Sequence, residues 1–206
     1  AGAAGVVVAD VQISAVFDSP LLAAQVTTDN IQLLREGEAL SINPAYNAES
    51  QTITLNPDAP IRPGTPYQIF ISGAVGGPLR QAAGDIRWSF STQIPDTTSV
   101  TPAAGAGGVV AADAQISATF DSPLLQDEIT TGNVQLLREG EPVAAIPSYD
   151  SENNSIILTP ADGIRPGTPY QIFVSGSVGG PLRQAVGDVR WDFSTQIPDT
   201  TSVIPA

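Results

Sequence analysis

The side chains with most scope for chemistry in this chain are its carboxylates. The sequence holds 21 Asp and Glu against eight Arg, a net charge of -13, and no His, Cys or Lys at all. Without His the commonest general base and metal ligand is missing. Without Cys there is neither a disulfide framework nor thiol chemistry. Without Lys there is no side-chain amine, so a Lys–Asn isopeptide cross-link is excluded with it. What remains is hard-oxygen ligation. Asp10, Asp18, Asp85 and Asp96 stand near the ends of predicted strands, where calcium could be held. No Asp-x-Asp-x-Asp spacing occurs, however, and single acids in turns ordinarily bond their own backbone. The expectation is no cofactor, with calcium as the alternative.

Other motifs carry less. The glycine clusters at 73–77 and 105–108 have no following Lys and no helical pattern, so they read as turns rather than phosphate loops. No Gly-x-Ser-x-Gly elbow is present. Asn153-Asn154-Ser155 fits a glycosylation sequon, a match that chance supplies in a chain this long. Trp88 and Trp191 lie on inward strand faces and read as core side chains before sugar platforms. An acid–base inventory this poor argues against an enzyme. The acidic balance argues against nucleic acid and anionic membrane surfaces as partners. No apolar run approaches the ~20 residues of a membrane-spanning helix. The absence of an initiator Met makes Ala1 read as a processed or excised terminus.

The elements that must position these residues come in two copies. Residues 104–206 repeat residues 1–103 at a constant offset, so that Phe17 matches Phe120, Tyr67 matches Tyr170 and Trp88 matches Trp191. Each copy is near the usual domain size and can bury its own core. Within a copy, Val11, Ile13, Ala15 and Phe17 alternate onto one strand face. Leu21 to Thr28 reads as a short helical turn. Asn30–Arg35 is a second strand, Ala39–Tyr46 a weaker third, and Gln51–Leu55 alternates again. Three prolines stiffen the connection 60–66, where Arg62 and Arg165 are expected to pair with acids or cap carbonyls. Tyr67–Gly73 and Asp85–Thr92 complete the set, with Ile86, Trp88 and Phe90 inward. Tyr67 and Tyr170 are placed to bond the backbone upstream. About seven short strands per copy indicate an antiparallel sandwich.

Several of these pieces form a family pattern. They are Phe17-Asp18-Ser19-Pro20-Leu21, Leu55-Asn56-Pro57, Ile61-Arg62-Pro63-Gly64-Thr65-Pro66-Tyr67 and Trp88-Ser89-Phe90-Ser91-Thr92, each recurring in the second copy, with Thr159 in the place of Asn56 and Asp192 in the place of Ser89. The chain resembles the bacterial immunoglobulin-like domains of S-layer proteins and surface adhesins. That resemblance implies an all-β fold of two tandem Ig-like antiparallel sandwiches, an extracellular or cell-surface place, and a spacer's role. It also implies an opening Val-rich strand ending in Pro, to which Ser99-Val100-Thr101-Pro102 is similar. One departure is Gly76-Gly77-Pro78-Leu79-Arg80-Gln81, where the family often carries Asp and then Gly-Asn.

The frame of the repeat suggests an assembly. Thr97-Thr98-Ser99-Val100-Thr101-Pro102 leads into the second copy, and nothing equivalent precedes Ala1. The segment recurs as Thr200, Thr201, Ser202, Val203, Ile204 and Pro205. The expected domains are 1–96, lacking its first strand, 97–199, and a donor strand at 200–206. The expected acceptor groove is Val11, Ile13, Ala15, Phe17, Ile86, Trp88 and Phe90, with the edges of both 11–17 and 85–92 open to strand addition. The partner is then the chain itself, as a head-to-tail homopolymer. The alternatives are a stalk fragment of a larger adhesin or S-layer protein, and a calcium- or sugar-binding module.

Overall fold

A computed structural model of the chain describes residues 3–8 and 11–199. The chain divides between Ile94 and Pro95 into two units. The first contains β1 (Ala3–Val6), β2 (Ile13–Val16), β3 (Ile31–Arg35), β4 (Glu38–Ala39), β5 (Ile42–Asn47), β6 (Thr52–Pro57), β7 (Pro66–Ile71), a short helix α1 (Pro78–Ala83) and β8 (Ile86–Thr92). One sheet runs β1-β8-β7-β3-β4 and the facing sheet runs β2-β6-β5. All pairs are antiparallel except β1 with β8, which is parallel.

The second unit repeats the plan with β9 (Thr97–Thr101), β10 (Ala106–Val109), β11 (Ser117–Phe120), β12 (Val134–Arg138), β13 (Glu141–Val143), β14 (Ala145–Asp150), β15 (Ser155–Pro160), β16 (Pro169–Val174), α2 (Pro181–Val186) and β17 (Val189–Thr195). Its sheets are β10-β17-β16-β12-β13 and β14-β15-β11-β9. Both units are the all-β sandwiches that the alternation predicts.

Period-two patterning builds each core. In β7, Tyr67, Ile69 and Ile71 are buried while Pro66 and Gln68 face solvent. They lie beside Ile31 and Leu33 of β3 in the same sheet and meet Ile53 and Leu55 of β6 across the sandwich. Val134, Leu136, Ile156, Leu158, Ile172 and Val174 do the same in the second unit. A one-residue slip would turn each set to solvent, so burial fixes the register.

The Pro-rich corner is held by its tyrosine, as expected. The Arg62 N–H donates to the Tyr67 hydroxyl at 2.8 Å, and Arg165 to Tyr170 at 2.9 Å. A second tie was not expected. The Thr92 hydroxyl donates to the Arg62 carbonyl at 2.7 Å and accepts from the Thr65 N–H at 2.9 Å. Thr195 repeats it with Arg165 and Thr168. The arginines therefore act through their backbone. The ion pair among the described residues is instead Arg190–Asp188, 3.8 Å apart and exposed.

Other differences have local causes. The weak third strand splits, because β4 pairs with β3 while β5 pairs with β6, so the chain crosses between sheets at Leu40 and Ser41. The expected helical turn at 21–28 is a single 3-10 turn, Ala23–Gln25. The helix α1 was not expected at all. Its six residues are too few for periodicity, but Pro78 stands at its start and Gly84 just past its end, the usual punctuation. It folds back onto Gly73, where a Cβ would lie 2.7 Å from the Arg80 carbonyl oxygen and from the Gln81 Cα. Gly73→Ala is expected to destabilise the first unit by about 3 kcal/mol, because backbone rather than a side-chain tip must give way. Thermal melting checks this, and an unchanged midpoint would mean that α1 is loosely held.

Candidate strand-acceptor edge

The structure corrects one of the two edges expected to be open. The strand β8, at 85–92 in the sequence reading, already has neighbours on both sides, β7 and β1. Ala3 lies opposite Phe90 and Val6 opposite Thr92. Sequence patterning missed β1 because Ala3-Ala4-Gly5-Val6 has no alternation and its partner lies far along the chain. The inward side chains of β8, Ile86, Trp88 and Phe90, belong to the first core as the alternation required.

The other edge is different. β2 pairs with β6 on one side, and no strand among the described residues lies on its other side. In the second unit the equivalent strand β11 has β15 on one side and β9 on the other. There Thr101 lies opposite Ser117, Val100 opposite Ala118 and Ser99 opposite Thr119. Val100 packs against the second core.

Burial follows the presence of that strand. Ala118, Phe120 and Trp191 of the second unit are no more than 5% exposed. Their counterparts Ala15, Phe17 and Trp88 are only half-buried. Val11, half-buried like them, and Ile13, which is buried, line a groove of about 230 Å³ with Val6, Trp88 and Phe90. All seven residues of the expected acceptor surface therefore pack against the first core, and four of them line this groove. The expected donor segment, Thr200 to Pro205, lies outside the described residues.

The entrance to the covered edge carries a reciprocal contact. The Asp96 N–H donates to Asp121 Oδ1 at 2.9 Å, and the Asp121 N–H donates to the Asp96 carbonyl at 3.0 Å. Asp96 Oδ1 in turn accepts from the Thr97 N–H at 2.9 Å. The hydroxyl of Ser122, a buried residue, donates to Asp121 Oδ1 at 3.1 Å. In the first unit the counterparts Asp18 and Ser19 are exposed.

Two further acids are held by local bonds. Asp85 Oδ1 accepts from the Gly73 N–H at 3.1 Å. Asp150, the last residue of β14, is held below the ordinary carboxylate value by hydrogen bonds from the Asn153 side chain and backbone. The described residues contain no group of three or more acidic, His or Cys side chains that could hold a metal. Asp10 lies outside the described residues. Arg87 stacks over Phe70 at 4.4 Å and Arg190 over Phe173 at 4.3 Å, on the sheet face away from the core.

Sequence comparison matches the profile of the bacterial Ig-like domain family to residues 1–92 and again to 93–195. No curated protein matches the chain. Among solved structures, a titin fragment aligns over 96% of this chain and 95% of its own at 8% identity, with a TM-score of 0.35. A second titin tandem aligns over 96% and 64% at 7% identity, TM-score 0.37. The N-terminal part of the bacterial S-layer protein SbsC aligns over 94% of this chain and 43% of its own at 13% identity, TM-score 0.34.

Proposed function

Because the chain belongs to the bacterial Ig-like domain family, we propose that it is a structural subunit of an extracellular filament, polymerising head-to-tail by donation of residues 200–205 into the first unit of the next copy. The observation that carries this reading is the contrast between β2 and β11. One strand edge is bare among the described residues, beside an apolar groove. Its duplicate is filled by β9, and the Thr-Thr-Ser-Val-x-Pro sequence formed by β9 and the following Pro102 is written again at 200–205. An unpaired strand edge is a template for strand addition. A donor on one side and an acceptor on the other give a heterologous contact that propagates instead of closing. No catalytic step and no cofactor enter this function. No described helix is long and apolar enough to cross a membrane.

A second reading has its own support. β9 is reached within the chain through Gln93-Ile94-Pro95-Asp96, so the same edge of the second unit is filled in cis. In a longer stalk every unit would be completed this way by the segment before it. Sedimentation and electron microscopy of the native protein separate the two. Subunits of about 21 kDa after denaturation, from long filaments before it, are expected for strand donation. A native monomer at micromolar concentration overturns it, and filaments whose denatured chains are far larger favour the stalk.

A further inference from the structure

We infer that Asp18 is the register lock of the donated strand, its carboxylate and backbone clasping Asp199 of the incoming copy as Asp121 clasps Asp96. This rests on strand donation and adds to it the residue that fixes where the strand stops. The argument starts from the duplicated geometry. In the filled edge, the two hydrogen bonds between Asp96 and Asp121 sit at the point where the link enters the strand. From there β9 runs on to place Val100 opposite Ala118. Pro95-Asp96-Thr97-Thr98-Ser99-Val100 recurs unchanged as Pro198-Asp199-Thr200-Thr201-Ser202-Val203, and Phe120-Asp121-Ser122 recurs as Phe17-Asp18-Ser19.

Both halves of the clasp are therefore present, one on each side of the proposed junction. Asp18 is exposed and makes no hydrogen bond or ion pair among the described residues.

A lock is needed because the donor is short and plain. Thr200, Thr201 and Ser202 could pair with β2 in more than one register, and a strand slip by two residues keeps the same face inward. The seating of Val203 opposite Ala15 favours one of those registers, and the clasp fixes it by holding the point where the strand enters. With Asp199 held at Asp18, Thr200 lies opposite Phe17, Ser202 opposite Val16, Val203 opposite Ala15 and Ile204 opposite Ser14. Val203 then enters the groove beside Ile13 and Trp88, as Val100 enters the second core.

The test uses the full chain, which has no cysteine of its own. The double variant Val16→Cys with Ser202→Cys is expected to give a ladder of disulfide-linked oligomers on oxidation. Ser14→Cys with Ser202→Cys, which reports a two-residue slip, is expected to stay unlinked. Asp18→Ala is expected to raise the critical concentration for polymerisation about tenfold, the loss of one charge-assisted hydrogen bond, and to let the slipped pair cross-link. Asp18→Asn keeps an oxygen acceptor without its charge and is expected to assemble better than Asp18→Ala and to hold the wild-type register. In a chain shortened by residues 200–206, Asp18→Ala should melt with its parent.

Each contrary result has a distinct meaning. Wild-type assembly and register from Asp18→Ala overturns the clasp while leaving strand donation intact. So does a fall in melting temperature of the shortened chain, which would make Asp18 a structural residue of its own unit. A ladder from the Ser14 pair in otherwise wild-type chains overturns the register. Failure of the unmodified chain to polymerise overturns strand donation itself, and the clasp with it.

Discussion

Chains lacking residues 200–206 are expected to remain monomeric at concentrations where the full chain forms filaments. A six-residue strand adds about five backbone hydrogen bonds, each worth about 1 kcal/mol net, and burying Val203 adds ~2 kcal/mol. Removing ~7 kcal/mol weakens an association constant by about five orders of magnitude, which puts assembly beyond reach of any practical concentration. The loss should also be visible inside the subunit. Without a neighbour, the bare side of β2 leaves its backbone groups to solvent, so the β2 amides that point away from β6 should exchange quickly in the shortened chain. Those of the equivalent β11, bonded on both sides, should stay protected. Val203→Asp should reproduce the deletion by placing an unpaired carboxylate in an apolar groove. Sedimentation velocity and hydrogen exchange on the same samples check both statements. Filaments from the shortened chain would mean that another surface joins the subunits.

Much of this was legible in the sequence because it depended on short-range periodicity. The alternation of Tyr67, Ile69 and Ile71, and of Ile86, Trp88 and Phe90, could face only one way in a sandwich, and each residue packs where the pattern put it. The tyrosine corner was readable because the hydroxyl and its partner are five residues apart. Features that depend on distant segments were not. The strand β1 pairs with β8 at the other end of the unit's sequence, and its Ala-Ala-Gly-Val carries no pattern to announce it. Missing it made β8 look like a second open edge. The half-exposure of Trp88 was equally invisible, since Trp191 lies in a nearly identical stretch and is buried. The two tryptophans differ through the strand beside β11 that β2 lacks among the described residues, and no reading of residues 86–92 alone contains that fact.

That dependence gives the sharpest experiment. Residues 95–103 fused directly before Ala1 would give the first unit the segment that enters the second. The join is a natural one, because Ala103 is followed by Ala104-Gly105-Ala106, the same residues as Ala1-Gly2-Ala3. The grafted strand would reach β2 in cis, at the high effective concentration of a short tether, and would exclude a donor from another molecule. The fused chain is therefore expected to be a stable monomer even though its own residues 200–205 are intact. Its first unit should melt higher than that of the chain shortened by 200–206. About 3 kcal/mol of net gain would correspond to roughly 15 °C for a domain of this size. Trp88 offers a direct signal, since covering the groove should shift its fluorescence to the blue, toward that of a buried indole. Mixing the fused chain with unmodified subunits sharpens the test further. With its acceptor filled and its donor available, it should cap one end of each filament and shorten the polymers in proportion to the amount added. A fused chain that still polymerises by itself would show that the β2 edge is not the junction. A fused chain that stays monomeric yet fails to cap would show that residues 200–205 are not the donor. Acceptor and donor are thus tested separately by one molecule.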